Sequence, residues 1–125
     1  MMSATPLEQR RRRIDDRLEA VLTTVDPPAL RDRLQQIVLA GGKRVRPLLT
    51  VCVADALDGD TETAVRYAAG IKLVHAASLV VDDIVDTAAT RRGAPAAWVS
   101  FGPDGAVVAS DGLIGEAFTL FAPTD

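Results

Sequence analysis

Residues 61–87, TETAVRYAAGIKLVHAASLVVDDIVDT, decide the fold class. The stretch holds no proline and a single glycine, Gly70, and its Ala, Leu and Val content favours helix. One long helix is therefore expected from Thr61 to about Thr87, with Gly70 as the place where it could bend. Its middle is apolar and its end is acidic, so any chemistry it carries belongs at the carboxyl end.

The flanking segments read as helices too. Thr5, Pro6 and Glu8 form a helix start, with Thr5 as N-cap, Pro6 at the first helical position and Glu8 placed for a capping box. Leu7, Ile14, Leu18, Val21 and Leu22 then make one apolar stripe. A second helix should begin after Pro27-Pro28, bury Leu30, Leu34, Ile37 and Val38, and stop at Gly41-Gly42. A third, opened by Pro47 and running to about Leu57, has apolar residues around its whole axis and should be central. Asp58-Gly59-Asp60 ends it. Residues 88–95 read as a loop, Phe101-Gly102-Pro103-Asp104-Gly105 as a turn after a short helical segment with Trp98, and 106–121 as a final helix. The expected fold is all-α, one domain over residues 1–125 with no internal repeat.

Composition narrows the function. The chain of 125 residues is 48% apolar and 25% charged, which fits an ordinary globular protein. A single cysteine, Cys52, excludes an internal disulfide framework. No stretch is long and apolar enough for a membrane span, and charged residues occupy the place of a signal peptide's apolar region, so a cytoplasmic location is expected. Residues 1–47 carry ten basic against six acidic side chains, and residues 48–125 four against eleven. A basic arm for nucleic acid is one reading of that split. It is disfavoured, because Asp15, Asp16 and Glu19 share the helix of Arg10 to Arg13 and no stacking aromatics accompany the arginines. A solvated helix face explains them better.

Three elements carry chemistry. Asp82, Asp83 and Asp86 form DDxxD on the long helix, with Asp82 and Asp86 one turn apart on the same face. Three clustered carboxylates repel one another, and hard oxygen donors suit magnesium with a phosphate-bearing substrate. Taken alone, the motif reads more readily as a solvated helix end. Gly41-Gly42-Lys43-Arg44-Val45-Arg46-Pro47 outlines an anion site: glycines admit a phosphate to the backbone, a helix start offers free N–H groups and three cations neutralise charge. Arg91-Arg92-Gly93 follows the aspartates by five residues. His75 lies two turns before Asp82, and His75, Leu79, Asp82 and Asp86 track one face, which gives His75 a substrate role as readily as a core one.

In that order, GGKRVRP at 41–47, VHAASLVVDDIVD at 74–86, RRGAP at 91–95 and FGPDGAVVASDGLIGEAF at 101–118, the chain resembles the trans-isoprenyl diphosphate synthases, the polyprenyl synthetase family. The resemblance implies an antiparallel helical bundle of the isoprenoid synthase type, present here as roughly its first half, since family members are more than twice as long and carry a second aspartate-rich motif. It implies a prenyltransferase that lengthens a trans-isoprenoid chain by joining isopentenyl diphosphate to an allylic prenyl diphosphate. Lys43, Arg46, His75 and Arg92 would hold the isopentenyl diphosphate. Asp82, Asp83 and Asp86 would bind the allylic diphosphate through Mg2+, with Arg91 on that same diphosphate. Ala77 and Ser78, five and four positions before the first aspartate, would leave room for a growing tail and a product of twenty carbons or more. The chain alone is expected to be inactive, and to form a homodimer or associate with another synthase chain. A non-catalytic diphosphate-binding partner of a complete synthase is the alternative. Val81 and Ala96 depart from the family pattern, which commonly has His and Thr there.

Overall fold

The computed structural model describes residues 5–39, 45–56 and 58–122. Five helices and a two-stranded ribbon follow one another there: α1 (Pro6–Leu22), α2 (Pro28–Val38), α3 (Val45–Ala56), α4 (Thr61–Val85), β1 (Thr90–Arg91), β2 (Ala94–Pro95) and α5 (Ala97–Phe121). The all-α expectation holds.

Local chemistry sets the helix ends. The Thr5 hydroxyl accepts the Glu8 N–H at 3.1 Å and the Glu8 carboxylate accepts the Thr5 N–H at 3.2 Å, so the capping box forms as expected. Ile14, Leu18 and Leu22, at the i, i+4, i+8 spacing, are fully buried, each contributing about 1.5–3 kcal/mol of burial. Leu7, expected on the same stripe, lies in the first turn of α1 and is exposed. On α2, Leu34 and Val38 are buried while Leu30 and Ile37 pack half-buried against the core. The Gly41-Gly42 stop lies outside the described residues.

The third helix begins two residues before Pro47 and is less central than its composition suggests. Val51 is fully buried, yet Leu49 and Val53 are exposed. Among the described residues α3 packs on α1 and α4, and its apolar residues on the other side are left uncovered. Its end follows a Schellman pattern: Gly59 N–H reaches the Ala54 carbonyl at 2.7 Å and Asp58 N–H the Asp55 carbonyl at 3.2 Å, with Asp58 at φ 57°.

α4 runs unbroken through Gly70. The glycine serves approach, not bending: a Cβ there would sit 2.4 Å from the Phe121 ring of α5, which stacks on Tyr67 at 5.9 Å between centroids. α5 runs antiparallel to α4, with Phe121 over Gly70, the Ser110 hydroxyl 3.3 Å from the Ala77 carbonyl, and Trp98 beside Ala88. Buried alanines on both helices, Ala69, Ala76 and Ala77 against Ala106, Ala109 and Ala117, fit that close packing. The expected turn at 101–105 narrows to one residue: Gly102 at φ 79° breaks the helix and Pro103 restarts it, so Asp104 and Gly105 are helical.

The charge split has a structural use. Arg10 of α1 donates to Asp55 of α3 at 2.7 Å, Arg13 pairs with Glu62 at the start of α4, and Arg17 lies 3.9 Å from the same carboxylate. Part of the basic face of α1 therefore binds the acidic ends of its neighbours instead of facing water alone. Among the described residues no helix is long and apolar enough to cross a membrane.

Candidate diphosphate site at the end of the long helix

The acidic end of α4 closes through a second Schellman pattern. Ala88 N–H bonds to the Asp83 carbonyl at 2.9 Å and Thr87 N–H to the Ile84 carbonyl at 3.2 Å. Thr87 takes φ 55°, a left-handed conformation that a β-branched residue seldom adopts. The chain then turns back as a ribbon where a loop was expected, with Thr90 opposite Pro95 and Arg91 opposite Ala94. Arg92 and Gly93, both at positive φ (52° and 79°), are the two turn residues, the backbone pattern of a type I′ hairpin. A two-residue turn with an arginine in it holds the Arg91-Arg92 pair on a short, stiff projection.

Asp83 anchors that projection. Its carboxylate, 6% exposed, accepts Arg91 Nε at 2.7 Å and Arg91 Nη2 at 2.8 Å. This two-pronged fit is the strong, orientation-fixing form of the arginine–carboxylate contact. The hydrogen bonds that Arg91 donates to Asp83 raise its pKa further, with the charges of Asp83 and Asp82 adding to the effect against burial. The pairing uses one edge of the guanidinium, and a side chain still 39% exposed keeps other N–H donors for a ligand.

The three expected metal-binding carboxylates thus divide. Asp83 is buried and engaged with Arg91, whereas Asp82 and Asp86 are exposed one turn apart, the Asp86 N–H bonded to the Asp82 carbonyl at 2.9 Å. Among the described residues no three His, Cys, Asp or Glu side chains are gathered into a metal cluster. Asp82 and Asp86 remain a fitting donor pair for magnesium, which takes one or two carboxylates and completes its shell with water and phosphate oxygens.

Beside these residues a cleft of about 310 Å³ opens between α2, α4, the ribbon and the start of α5. Ile37, Leu79, Val80 and Phe101 form its apolar wall, and Lys72, Asp83, Arg91 and Arg92 its charged part. Three cations against one carboxylate leave it positive.

The other expected residues sit as follows. His75 is half-buried on α4, outside the lining of the cleft, and its carbonyl accepts the Ser78 hydroxyl at 2.7 Å. Ser78 is exposed, while Ala77 is buried under α5. Lys43 and the side chain of Arg46 lie outside the described residues. Sequence reasoning missed Lys72, although it lies three turns before Asp83 on the face that also carries Ala76 and Leu79. It also missed Gln36, for which no signal in the chain pointed to this cleft.

Comparison with known proteins agrees with this fold. The family model described as Polyprenyl synthetase matches residues 27–124. Geranylfarnesyl diphosphate synthase of Methanosarcina mazei is 30% identical over 112 residues, which are 90% of this chain and 38% of that protein. A short chain isoprenyl diphosphate synthase of Methanothermobacter thermautotrophicus is 38% identical over 83% of this chain and 32% of its own length. The solved geranylgeranyl pyrophosphate synthetase of Geoglobus acetivorans superposes with a TM-score of 0.88 at 34% identity, covering 97% of this chain and 40% of that one. The chain spans about a third of the length of the curated relatives it matches.

Proposed function

The chain belongs to the polyprenyl synthetase family, and from that premise we propose that it is the amino-terminal part of a trans-prenyltransferase that joins isopentenyl diphosphate to an allylic prenyl diphosphate. The observation that carries this reading is the Asp83–Arg91 fork standing beside two exposed carboxylates, Asp82 and Asp86. That arrangement offers a cation donor and a metal-binding edge to the same anion.

In this reading Arg91 and Arg92 project from the hairpin toward diphosphate. Asp82 and Asp86 would hold magnesium, which when bound neutralises the charge of the departing diphosphate. Arg91 keeps its position through Asp83 and adds donors where negative charge develops, so the allylic carbon–oxygen bond can break. The double bond of isopentenyl diphosphate then attacks the allylic carbon. One proton is lost, and the product is a prenyl diphosphate longer by one unit plus free diphosphate. Lys43, Arg46, His75 and Arg92 are assigned to the isopentenyl diphosphate, and Ser78 and Ala77 to the control of tail length. The domain assignment, a single unit over 1–125, and a cytoplasmic location belong to the same proposal.

Half a bundle leaves apolar faces open: Leu49 and Val53 on α3, Val81 and Val85 on α4, and Val107 and Phe118 on α5 are all exposed. Those faces suit cover by the rest of a synthase bundle, by a second copy or by another synthase chain, and a diphosphate-binding partner subunit is the second reading. A chimaera separates the two. Replacing the matched part of the Geoglobus acetivorans enzyme with this chain should give magnesium-dependent chain elongation, reduced about 100-fold or more by Arg91→Ala. A folded chimaera without elongation would reject the transferase reading.

A further inference from the structure

We infer that Trp98 is a positioning residue for the Arg91-Arg92 hairpin, acting through its indole N–H. The inference rests on the diphosphate reading of those two arginines and adds to it the residue that fixes them from α5.

The hairpin leaves α4 at Ala88 and rejoins the helices at Ala96. Ala88 is held on both sides: its N–H bonds to the Asp83 carbonyl at 2.9 Å and its carbonyl accepts Trp98 Nε1 at 2.7 Å. Ala96 N–H bonds to the Ala89 carbonyl at 2.9 Å. The base of the hairpin is therefore tied to α4 through Asp83 and to α5 through Trp98. The tip carries two left-handed residues, Arg92 and Gly93, and strained turn geometry persists only where its surroundings hold it. Trp98 sits in the first turn of α5, where Ala96, as N-cap, supplies no side-chain bond of its own. A half-buried indole fills that corner and its only polar atom is spent on the hairpin. Loss of the N–H frees the Ala88 carbonyl and loosens the frame from which Arg91 reaches Asp83.

The single tryptophan of the chain makes the test clean. Biosynthetic replacement with benzothienylalanine removes the N–H and keeps the ring shape, whereas fluorotryptophan keeps both; Trp98→Phe is the genetic counterpart. Two quantities are measured on the whole chain: hydrogen exchange at Arg91 Nε–H by nuclear magnetic resonance without ligand, and magnesium-pyrophosphate affinity by calorimetry. The benzothienyl and Trp98→Phe chains should show faster Arg91 Nε–H exchange and about fivefold to tenfold weaker pyrophosphate binding. The fluorotryptophan chain should match the parent in both. Unchanged Arg91 exchange in the benzothienyl chain would overturn the inference, as would an equal loss in the fluorotryptophan chain. Failure of the parent to bind pyrophosphate would instead count against the diphosphate reading, and the exchange measurement would still decide the role of Trp98.

Discussion

Asp83 holds Arg91 twice over, through a carboxylate that accepts Nε and Nη2 at 2.7 and 2.8 Å and through a main-chain carbonyl that secures Ala88, three residues before the arginine. The middle aspartate of the motif is thereby a support for the hairpin, and the outer two face solvent. Asp83→Asn keeps the size of the side chain and removes its charge, leaving Arg91 one neutral acceptor in place of the two-pronged carboxylate. Because Arg91 is partly exposed, the cost is expected at about 1–2 kcal/mol, below that of a fully buried pair. Urea unfolding of the two chains measures it, and an unchanged midpoint would count against the fork as a support.

The pair that ties α1 to α3 predicts the acid limb of stability. The hydrogen bond from Arg10 lowers the Asp55 pKa, with the Thr61 hydroxyl, 2.8 Å away, adding to the effect. A carboxyl lowered on folding contributes stability that is complete above its unfolded value, near 4, and is lost as pH falls through the lower folded value. Asp55→Asn should therefore melt lower than the parent at pH 7, and the difference should shrink below pH 4. A difference that grows on acidification would contradict this assignment.

Thr87 offers a gain. Its φ of 55° at the end of α4 is a conformation glycine adopts without steric cost. Thr87→Gly should raise stability by about 0.5–1 kcal/mol, read from the thermal midpoint, since relief of the left-handed strain exceeds the added freedom of the unfolded chain. A lower midpoint would mean that the threonine side chain contributes more than its backbone costs.

The burial of Ala77 separates two variants that a sequence reading treats alike. Ala77 is 1% exposed beneath α5, so Ala77→Phe should overpack that interface and destabilise the chain by about 1–3 kcal/mol or more. Ser78 is exposed, and Ser78→Phe should stay within about 0.5 kcal/mol of the parent. Thermal melts of both decide it. In a complete bundle Ser78→Phe is then the variant whose shorter products would report on the tail path, because its effect is free of unfolding.

The helices were legible because their signals are local. Thr5-Pro6 with Glu8, the Pro27-Pro28 start and the glycine-poor run from Thr61 each fix a boundary within a few residues. Positions decided by packing were not. Leu49 and Val53 read as core, and they are exposed because no neighbour among the described residues covers that side of α3. Gly70 read as a place where the long helix could be irregular, whereas it admits the Phe121 ring from a helix fifty residues away. At the site, the residue types were legible from the spacing of Asp82, Asp83, Asp86, Arg91 and Arg92. The division of labour among the aspartates was not, since it depends on a hairpin whose direction is set by positive φ at Thr87, Arg92 and Gly93.

In the proposed function Asp82 and Asp86 form the metal edge of a diphosphate site whose cation is Arg91. Calorimetric titration of the chain with an allylic diphosphate analogue, with and without magnesium, in the parent and in Asp82→Asn, tests it most directly. Binding by the parent should need magnesium and fall at least tenfold in its absence, and Asp82→Asn should remove that dependence. Equal magnesium dependence in parent and variant would contradict the account.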